Sequence, residues 1–265
     1  MTEGDSLRPD DLQRGLTTTV LGRVFYFHPE VESTNAVARS LAAQGGRDGS
    51  VVAADFQTAG RGRLDRTWSA PPGSSLLFSL LLRPSIGVER IAQVTMAAGL
   101  GCVAGIARAG GINARLKWPN DITLDGRKAG GMLGEFSLRA DALEYVIIGI
   151  GINVNFDPAE VEGIPPGATS LMLHSGRRLP RAPLLRAILE EMEPRYQAVC
   201  AGGSLREEWA RALETIGADV RATTHTGAVE GLAEDVDETG ALILRLADGS
   251  RQSVHAGDVV ALRLA

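Results

Sequence analysis

The chain has little of what many enzymes use to do chemistry. Its 265 residues include two cysteines, four histidines and 5% aromatic side chains. Cys102 and Cys200 stand far apart in apolar contexts. That excludes a disulfide framework or a zinc spacing, and both read as buried small side chains in a reducing compartment. The histidines form no His-Glu-x-x-His motif, and neither a P-loop nor a Gly-x-Ser-x-Gly elbow occurs. Covalent catalysis and metal-bound water therefore lack obvious instruments. "GIGINV" at 149–154 misses the third glycine of a dinucleotide fingerprint.

Excess positive charge is also missing. Lysine plus arginine number 27 against 32 acidic residues, a net charge of −5 with no basic arm. This argues against a protein that chiefly grips nucleic acid. No apolar run reaches the roughly eighteen residues needed to cross a bilayer, and "MTEGDSLRPDDLQRG" is polar and acidic, unlike a signal peptide. The expectation is a soluble, cytoplasmic globular protein with no membrane partner.

What is present is a strand and helix pattern that changes character near its end. Residues 1–22 show little periodicity and read as a flexible lead-in. "VFYFHPEVESTNAVARSLAAQGG" gives a strand and then a helix, with Ser33 or Thr34 at its start and Gly45–Gly46 at its end. "VVAADF" and "SLLFSLLLR" are strands, and 89–108 carries apolar residues at helical spacing. "TLDGRKAGGMLGEF" predicts a hairpin turning at Asp125–Gly126, and "LEYVIIGIGINVNF" a central strand ending in asparagines. A helix over 183–200 is expected to kink or split at Pro194. Residues 218–265 are short strands and turns only, which suggests a small SH3-like barrel. The fold class is α+β, a mixed sheet flanked by helices over 23–217 with that barrel appended.

Between two of the strands lies "FQTAGRGRLDRTWSAPPGSS" at 56–75. Gly60 and Gly62 can take positive φ and turn backbone N–H groups toward an anion. Arg61 and Arg63 add guanidinium forks suited to carboxylate or phosphate, and Trp68 a face on which a purine could stack. A solvated charged loop whose tryptophan folds back onto the core fits the same residues. Lys128, just past the hairpin turn and before small residues, taken alone reads as a solvated edge guard, although the small residues after it would let a ligand approach. In "KWPND", Asn120 and Asp121 flank a fixed proline, either as a packed turn or as rigid polar presentation. Asn153 and Asn155 either form a turn or await a ligand.

Taken together, the segments are far more specific. "ESTN" at 32–35, "QTAGRGR" at 57–63, "KWPND" at 117–121, "GRKAGGMLGE" at 126–135 and "GIGINVN" at 149–155 occur in that order. The set resembles the biotin protein ligases, and the resemblance runs from residue 24 to 265 through "GALIL" and "AGDVVALR". It implies a fold related to class II aminoacyl-tRNA synthetases and lipoate ligases. It also implies a two-step reaction. Biotin attacks the α-phosphate of Mg-ATP to give biotinyl-5′-AMP, and a lysine of a biotin carboxyl carrier domain then displaces AMP.

Carried over by motif, Ser33, Thr34, Asn35 and Gln57 line the biotin pocket, with Gly60, Arg61, Arg63, Lys128 and Gly131 beside the biotin carboxylate. Arg63, Trp68, Asn120 and Asn153 serve the adenylate. Lys128, Arg61 and Asn120 are the expected catalytic residues, and the glycine- and arginine-rich segment is a lid. ATP, biotin and Mg²⁺ are the small molecules implied. Asp121 could join a magnesium site otherwise made by phosphates and water.

No helix pair precedes the motifs, so DNA binding is not expected; a monomer or weak homodimer is. Gly130 stands where the family usually has alanine, a change expected to be mild. The alternatives are a lipoate or octanoate ligase of the same fold and a non-catalytic module that binds biotinyl-AMP. The first carries an arginine, a triple glycine and a histidine at the lid, which "GRGRLDRTW" lacks.

Overall fold

The computed structural model describes residues 5–224, 227–255 and 257–262. The elements in chain order are α1 (Pro9–Gln13), β1 (Phe25–Val31), α2 (Thr34–Ala43), β2 (Ser50–Gln57), β3 (Ser75–Leu82), α3 (Ile91–Gly110), β4 (Arg115–Lys117) and β5 (Asp121–Leu124). They continue with β6 (Arg127–Arg139), β7 (Ala142–Asn153), α4 (Leu171–Ser175), α5 (Arg181–Cys200) and α6 (Arg206–Ala212). Five short strands close the chain: β8 (Asp219–Thr224), β9 (Gly227–Val236), β10 (Leu242–Arg245), β11 (Arg251–Val254) and β12 (Asp258–Ala261).

The first seven strands form one sheet in the order β1-β2-β3-β7-β6-β5-β4, with only β1 and β2 parallel. Strand period 2 divides the work of its two faces. Leu76, Phe78 and Leu80 of β3 and Ile148, Ile150 and Ile152 of β7 all join the main core. The opposite face carries Leu81 and Ile147 beneath Ala38 and Ala42 of α2. Farther along that face the residues become small or polar: Ser75 pairs with Asn153, Ser79 with Gly149, and Gly131 with Gly151. This row is the floor of the site.

By length and composition α3 could cross a membrane, an outcome the run-counting of the sequence missed, yet it is the buried core helix. Its glycines let α5 and α6 approach. A Cβ on Gly101 would lie 2.8 Å from the Met192 Cα, on Gly105 2.5 Å from the Ile188 Cα, and on Gly99 2.6 Å from Trp209. α5 runs unbroken through Pro194, because Leu185, Ile188, Leu189, Met192 and Val199 stay buried on both sides of it. Such packing outweighs one lost hydrogen bond.

Residues 5–22 are not the flexible lead-in expected of them. Leu7, Leu12, Leu16 and Leu21 are buried in the main core, and the Glu193 carboxylate accepts from the N–H groups of Val20 and Leu21 at 2.9 and 2.8 Å. Burial pushes that carboxyl up, but the N–H groups of Thr19, Leu21 and Val20 outweigh it and hold it below its ordinary value. The leucines share no helix or strand period, so pattern reading passed over them. Residues 1–4 lie outside the described residues.

Cys200 is also a correction: it is exposed at the end of α5, where Val199 takes the inward position. Cys102 is buried, and burial pushes its thiol up to about 12. The strands β8 to β12 pair antiparallel in the order β11-β10-β9-β8-β12, an SH3-like arrangement. Trp118 is buried, donating through Nε1 to the Gly240 carbonyl at 2.8 Å. It joins the two sheets, and the packed-turn reading of "KWPND" holds for this residue.

Candidate active site

The segment between β2 and β3 is itself a small hairpin. Arg61 bridges Thr67, the Gly62 N–H donates to the Arg66 carbonyl at 2.6 Å, and the Trp68 N–H to the Gly60 carbonyl at 2.9 Å. Its tip, Arg63–Arg66, has Leu64 and Asp65 at φ 54° and 56°, as a type I′ turn demands. Gly60 and Gly62 do not take positive φ among the described residues, contrary to the nest expected there. Gly60 is needed for another reason: a Cβ would sit 2.5 Å from the Trp68 carbonyl oxygen.

The hairpin tip reaches the C-terminal sheet. Arg63 donates to the Asn120 Oδ1 and to the Gly257 carbonyl, each at 3.3 Å, and Arg66 pairs with Asp258. Burial lowers Arg63 from the ordinary guanidinium value, against the opposing influence of the Asp258 and Asp121 charges. Asn120 is braced in turn, donating to the Met132 carbonyl at 2.5 Å. Arg61 is exposed, and among the described residues its side chain has no hydrogen-bond or ion-pair partner. The Arg66–Asp258 pair is half open to solvent, and such pairs contribute about 0–1 kcal/mol. Asp258→Ala is therefore expected to speed limited trypsin cleavage at the lid arginines by at most about fivefold, measured against an unchanged melting temperature.

Lys128 owes its position to a β-bulge. Ile122 pairs with Gly130 but Thr123 pairs with Lys128, so Ala129 is the extra residue. Simple alternation would send Lys128 and Gly131 to opposite faces; the bulge returns them to one. A Cβ on Gly131 would lie 3.5 Å from both the Lys128 Nζ and the Asp121 Oδ1, and Lys128 pairs with Asp121 at 2.6 Å. Gly130 also matters more than expected, since a Cβ there would be 2.8 Å from the Gly151 carbonyl oxygen.

Trp68 lies flat on the floor. A Cβ on Gly151 would be 2.5 Å from its Cε2, and the Lys128 Nζ stands 6.0 Å from the ring centroid. Three buried side-chain polar atoms lack partners among the described residues: the Trp68 Nε1, the Ser75 Oγ and the Asn153 Oδ1. Ser75 and Asn153 oppose each other on neighbouring strands, and Asn153 is two residues from Gly151. The unsatisfied atoms thus gather in one place, where an acceptor and two donor-capable groups wait. The Asn153 Nδ2 donates to the Thr169 carbonyl at 3.0 Å, which fixes its Oδ1 as the free end. Asn155, by contrast, exchanges hydrogen bonds with the Leu179 backbone at 2.8 and 2.9 Å and is a structural residue.

At the other end of the floor, Thr34, Asn35 and Gln57 meet around Ser79, which sequence reasoning missed. The Thr34 N–H donates to the Gln57 Oε1 at 2.7 Å, and the Ser79 Oγ lies 2.7 Å from the Thr34 Oγ1 and 2.6 Å from the Asn35 Oδ1. The Asn35 Nδ2 donates to Glu135 at 2.8 Å, and Glu135 pairs with Arg39. Burial raises the Glu135 carboxyl, but bonds from Asn35 and Arg39 and the charges of Arg39 and Arg61 bring it below its ordinary value. A second serine amid the leucines of "SLLFSLLL" was the available signal, because a buried hydroxyl requires a partner. Ser33 is the buried N-cap of α2 without a side-chain cap bond.

An open cleft of about 990 Å³ runs beside these groups, lined by the lid from Thr58 to Thr67, Asn120, Met132–Glu135, Arg39 and His255. Ser33, Thr34, Asn35, Gln57, Trp68, Lys128, Gly131 and Asn153 do not line it, and the indole covers the floor at Gly151.

Comparison with known proteins decides what this arrangement belongs to. Residues 27–153 match the biotin/lipoate A/B protein ligase family, and residues 215–261 match the biotin protein ligase C-terminal domain. The chain is 34% identical over 275 residues to the biotin–[acetyl-CoA-carboxylase] ligase of Mycobacterium tuberculosis, spanning 99% of this chain and all of that one. This chain belongs to the biotin protein ligase family. It is also 36% identical over 256 residues to the bifunctional ligase/repressor BirA of Bacillus subtilis, covering 96% of this chain and 78% of that protein. Among solved structures, the biotin protein ligase of Aquifex aeolicus in complex with biotin and ATP superposes with a TM-score of 0.76 at 27% identity, over 91% of this chain and all of that one.

Proposed function

We propose that this protein is an ATP-dependent biotin protein ligase, which forms biotinyl-5′-AMP and transfers biotin to a lysine of a carboxyl carrier domain. One observation carries the reading: the unsatisfied Trp68, Ser75 and Asn153 atoms on a floor of small residues, with the Lys128–Asp121 pair at its side. The family's reaction needs two anions held together and the charge growing at phosphorus stabilised, and no covalent nucleophile. Lys128 and Arg61 are cations free to turn from Asp121 and from solvent toward such anions. Arg63, held by Asn120, comes to the phosphate side when the lid closes. Asn120 is then catalytic through its contact with the reacting phosphate.

In this reading Ser33, Thr34, Asn35 and Gln57 receive the ureido ring, with Gly60 and Gly131 giving room for the carboxylate. The Gln57 Oε1 is occupied by Thr34, which leaves its Nε2 to donate to the ligand. The Asn153 Oδ1 accepts from the adenine amine, and Trp68 packs on the adenine once the indole leaves the floor. Among the described residues no three histidine, cysteine, aspartate or glutamate side chains converge as a metal cage. Magnesium would enter with the nucleotide, held chiefly by its phosphates and water, and Asp121 is the carboxylate that would join them.

Residues 23–217 form the catalytic unit and 218–265 the appended one. The protein works in the cytoplasm as a monomer or weak dimer, and its net charge of −5 supports a ligase without a DNA partner. ATP–pyrophosphate exchange by the purified chain with biotin, lipoate or octanoate tests this. Exchange is expected with biotin alone. Exchange with another acid moves the protein to a sister activity, and none with any acid in folded, magnesium-supplied protein leaves a binding module.

A further inference from the structure

Arg181 opens α5 and is 2% exposed, the largest of the fully buried side chains among the described residues. A buried guanidinium needs its donors and its charge matched. Its Nε donates to the Asp5 Oδ1 at 3.0 Å and its Nη2 to the Asp5 carbonyl at 2.8 Å. Its Nη1 donates to the Asp55 Oδ1 at 2.8 Å and to the Ser75 carbonyl at 3.2 Å. Asp55 lies near the end of β2, where the lid leaves the sheet, and Ser75 begins β3, where the lid returns. The same two roots are tied by the Gly73 N–H, which donates to the Asp55 carbonyl at 2.9 Å.

The atoms that Arg181 grips are therefore the two feet of the lid. Gln57 stands two residues beyond Asp55 at the end of β2, and Ser75 is part of the polar floor opposite Asn153. The third contact comes from outside the sheet, because Asp5 belongs to the N-terminal segment packed over the core. We propose that Arg181 is a positioning residue that pins the feet of the lid, and that Asp5 makes docking of the N-terminal segment part of that pin. With the Asp5 carboxylate gone, the Nε donor of a buried cation loses its charged partner, and only the Asp5 backbone carbonyl still holds Nη2. The guanidinium then shifts toward Asp55 and solvent, and the lid's feet lose their common anchor. A methionine of similar length would fill the space if Arg181 served packing alone.

This proposal rests on the reading of the site as one that retains an acyl-adenylate beneath the lid. It is tested on the full chain with Asp5→Asn, Asp55→Asn, Arg181→Met and Arg181→Lys. Three quantities are measured: release of biotinyl-5′-AMP formed on the enzyme, trypsin cleavage at Arg61, Arg63 and Arg66 without ligand, and melting temperature. We expect Asp5→Asn, Asp55→Asn and Arg181→Met to speed both release and lid cleavage roughly 2- to 30-fold, the range of coupling such contacts carry. Arg181→Lys, which cannot reach all three partners, is expected to restore only part of either rate.

Wild-type rates in variants whose melting temperature falls would overturn the proposal, since Arg181 would then be only a core ion pair. Should Arg181→Met fail to fold, Asp55→Asn decides, because Asp55 is 30% exposed at its side chain. If the wild type forms no adenylate, the functional reading fails by itself. The cleavage rates then still decide between a pinned lid and an indifferent one.

Discussion

Replacing Lys128 with alanine is expected to lower biotin-dependent ATP–pyrophosphate exchange by about 100- to 1,000-fold, the usual cost of removing one donor aimed at developing charge. The melting temperature is expected to stay where it was. The lysine side chain is 44% exposed, and its partner Asp121 remains accessible to water at 25%. Losing so open a pair costs little stability, so any large loss of exchange belongs to chemistry. The Thr123 pairing and the bulge at Ala129 are backbone features that a truncated side chain leaves intact. Lys128→Arg separates charge from shape, because a planar fork cannot occupy the same place beside Gly131 as a compact ammonium. Exchange within tenfold of wild type in Lys128→Ala would falsify the catalytic assignment.

The second large effect is expected at a residue that never touches the reacting atoms. Gly151→Ala puts a methyl group 2.5 Å from the Trp68 Cε2 and 2.9 Å from its Nε1. The indole must then leave the floor, and the room above Gly151 shrinks for any ligand replacing it. Base stacking on an aromatic side chain is worth about 1–3 kcal/mol. KM for ATP is thus expected to rise roughly 5- to 150-fold, with a much smaller change in KM for biotin. The backbone tolerates the substitution, since Gly151 does not take positive φ, and alanine in place of glycine reduces the entropy of the unfolded chain. Steady-state kinetics with each substrate varied in turn, together with the emission maximum of the protein's tryptophans, checks this. Equal effects on both KM values would mean that the indole guards the whole cleft rather than the adenine side.

These two residues mark different degrees of legibility. Lys128 could be picked from its motif, while the bulge that turns it onto the right face could not, because a one-residue shift of register leaves no trace in composition. Gly151 was noticed as part of a glycine-rich run, but its reason is a tryptophan more than eighty residues earlier in the chain. Gly60 repeats the lesson in reverse. Glycine suggested positive φ, whereas the need is close approach of the Trp68 carbonyl, and the positive φ angles fall on Leu64 and Asp65. The lead-in and a split at Pro194 were misread for a common cause. Local rules price residues by their neighbours in sequence, and packing against distant residues overrode them.

The sequence by itself determined the order and type of most elements, because strand and helix periods, the Asp125–Gly126 turn and the β-only tail are local properties. It also determined the family and the chemistry, since the motif segments carry the charged and small residues that two repelling anions require. Only the tertiary structure decided which of those residues meet. Arg181 finds Asp55 and Asp5 across 126 and 176 positions, and Arg63 finds Gly257 across 194. Contacts at such separations are chosen by how sheets and helices stack, and one residue's hydrogen-bonding capacity fits many partners until burial leaves it only one.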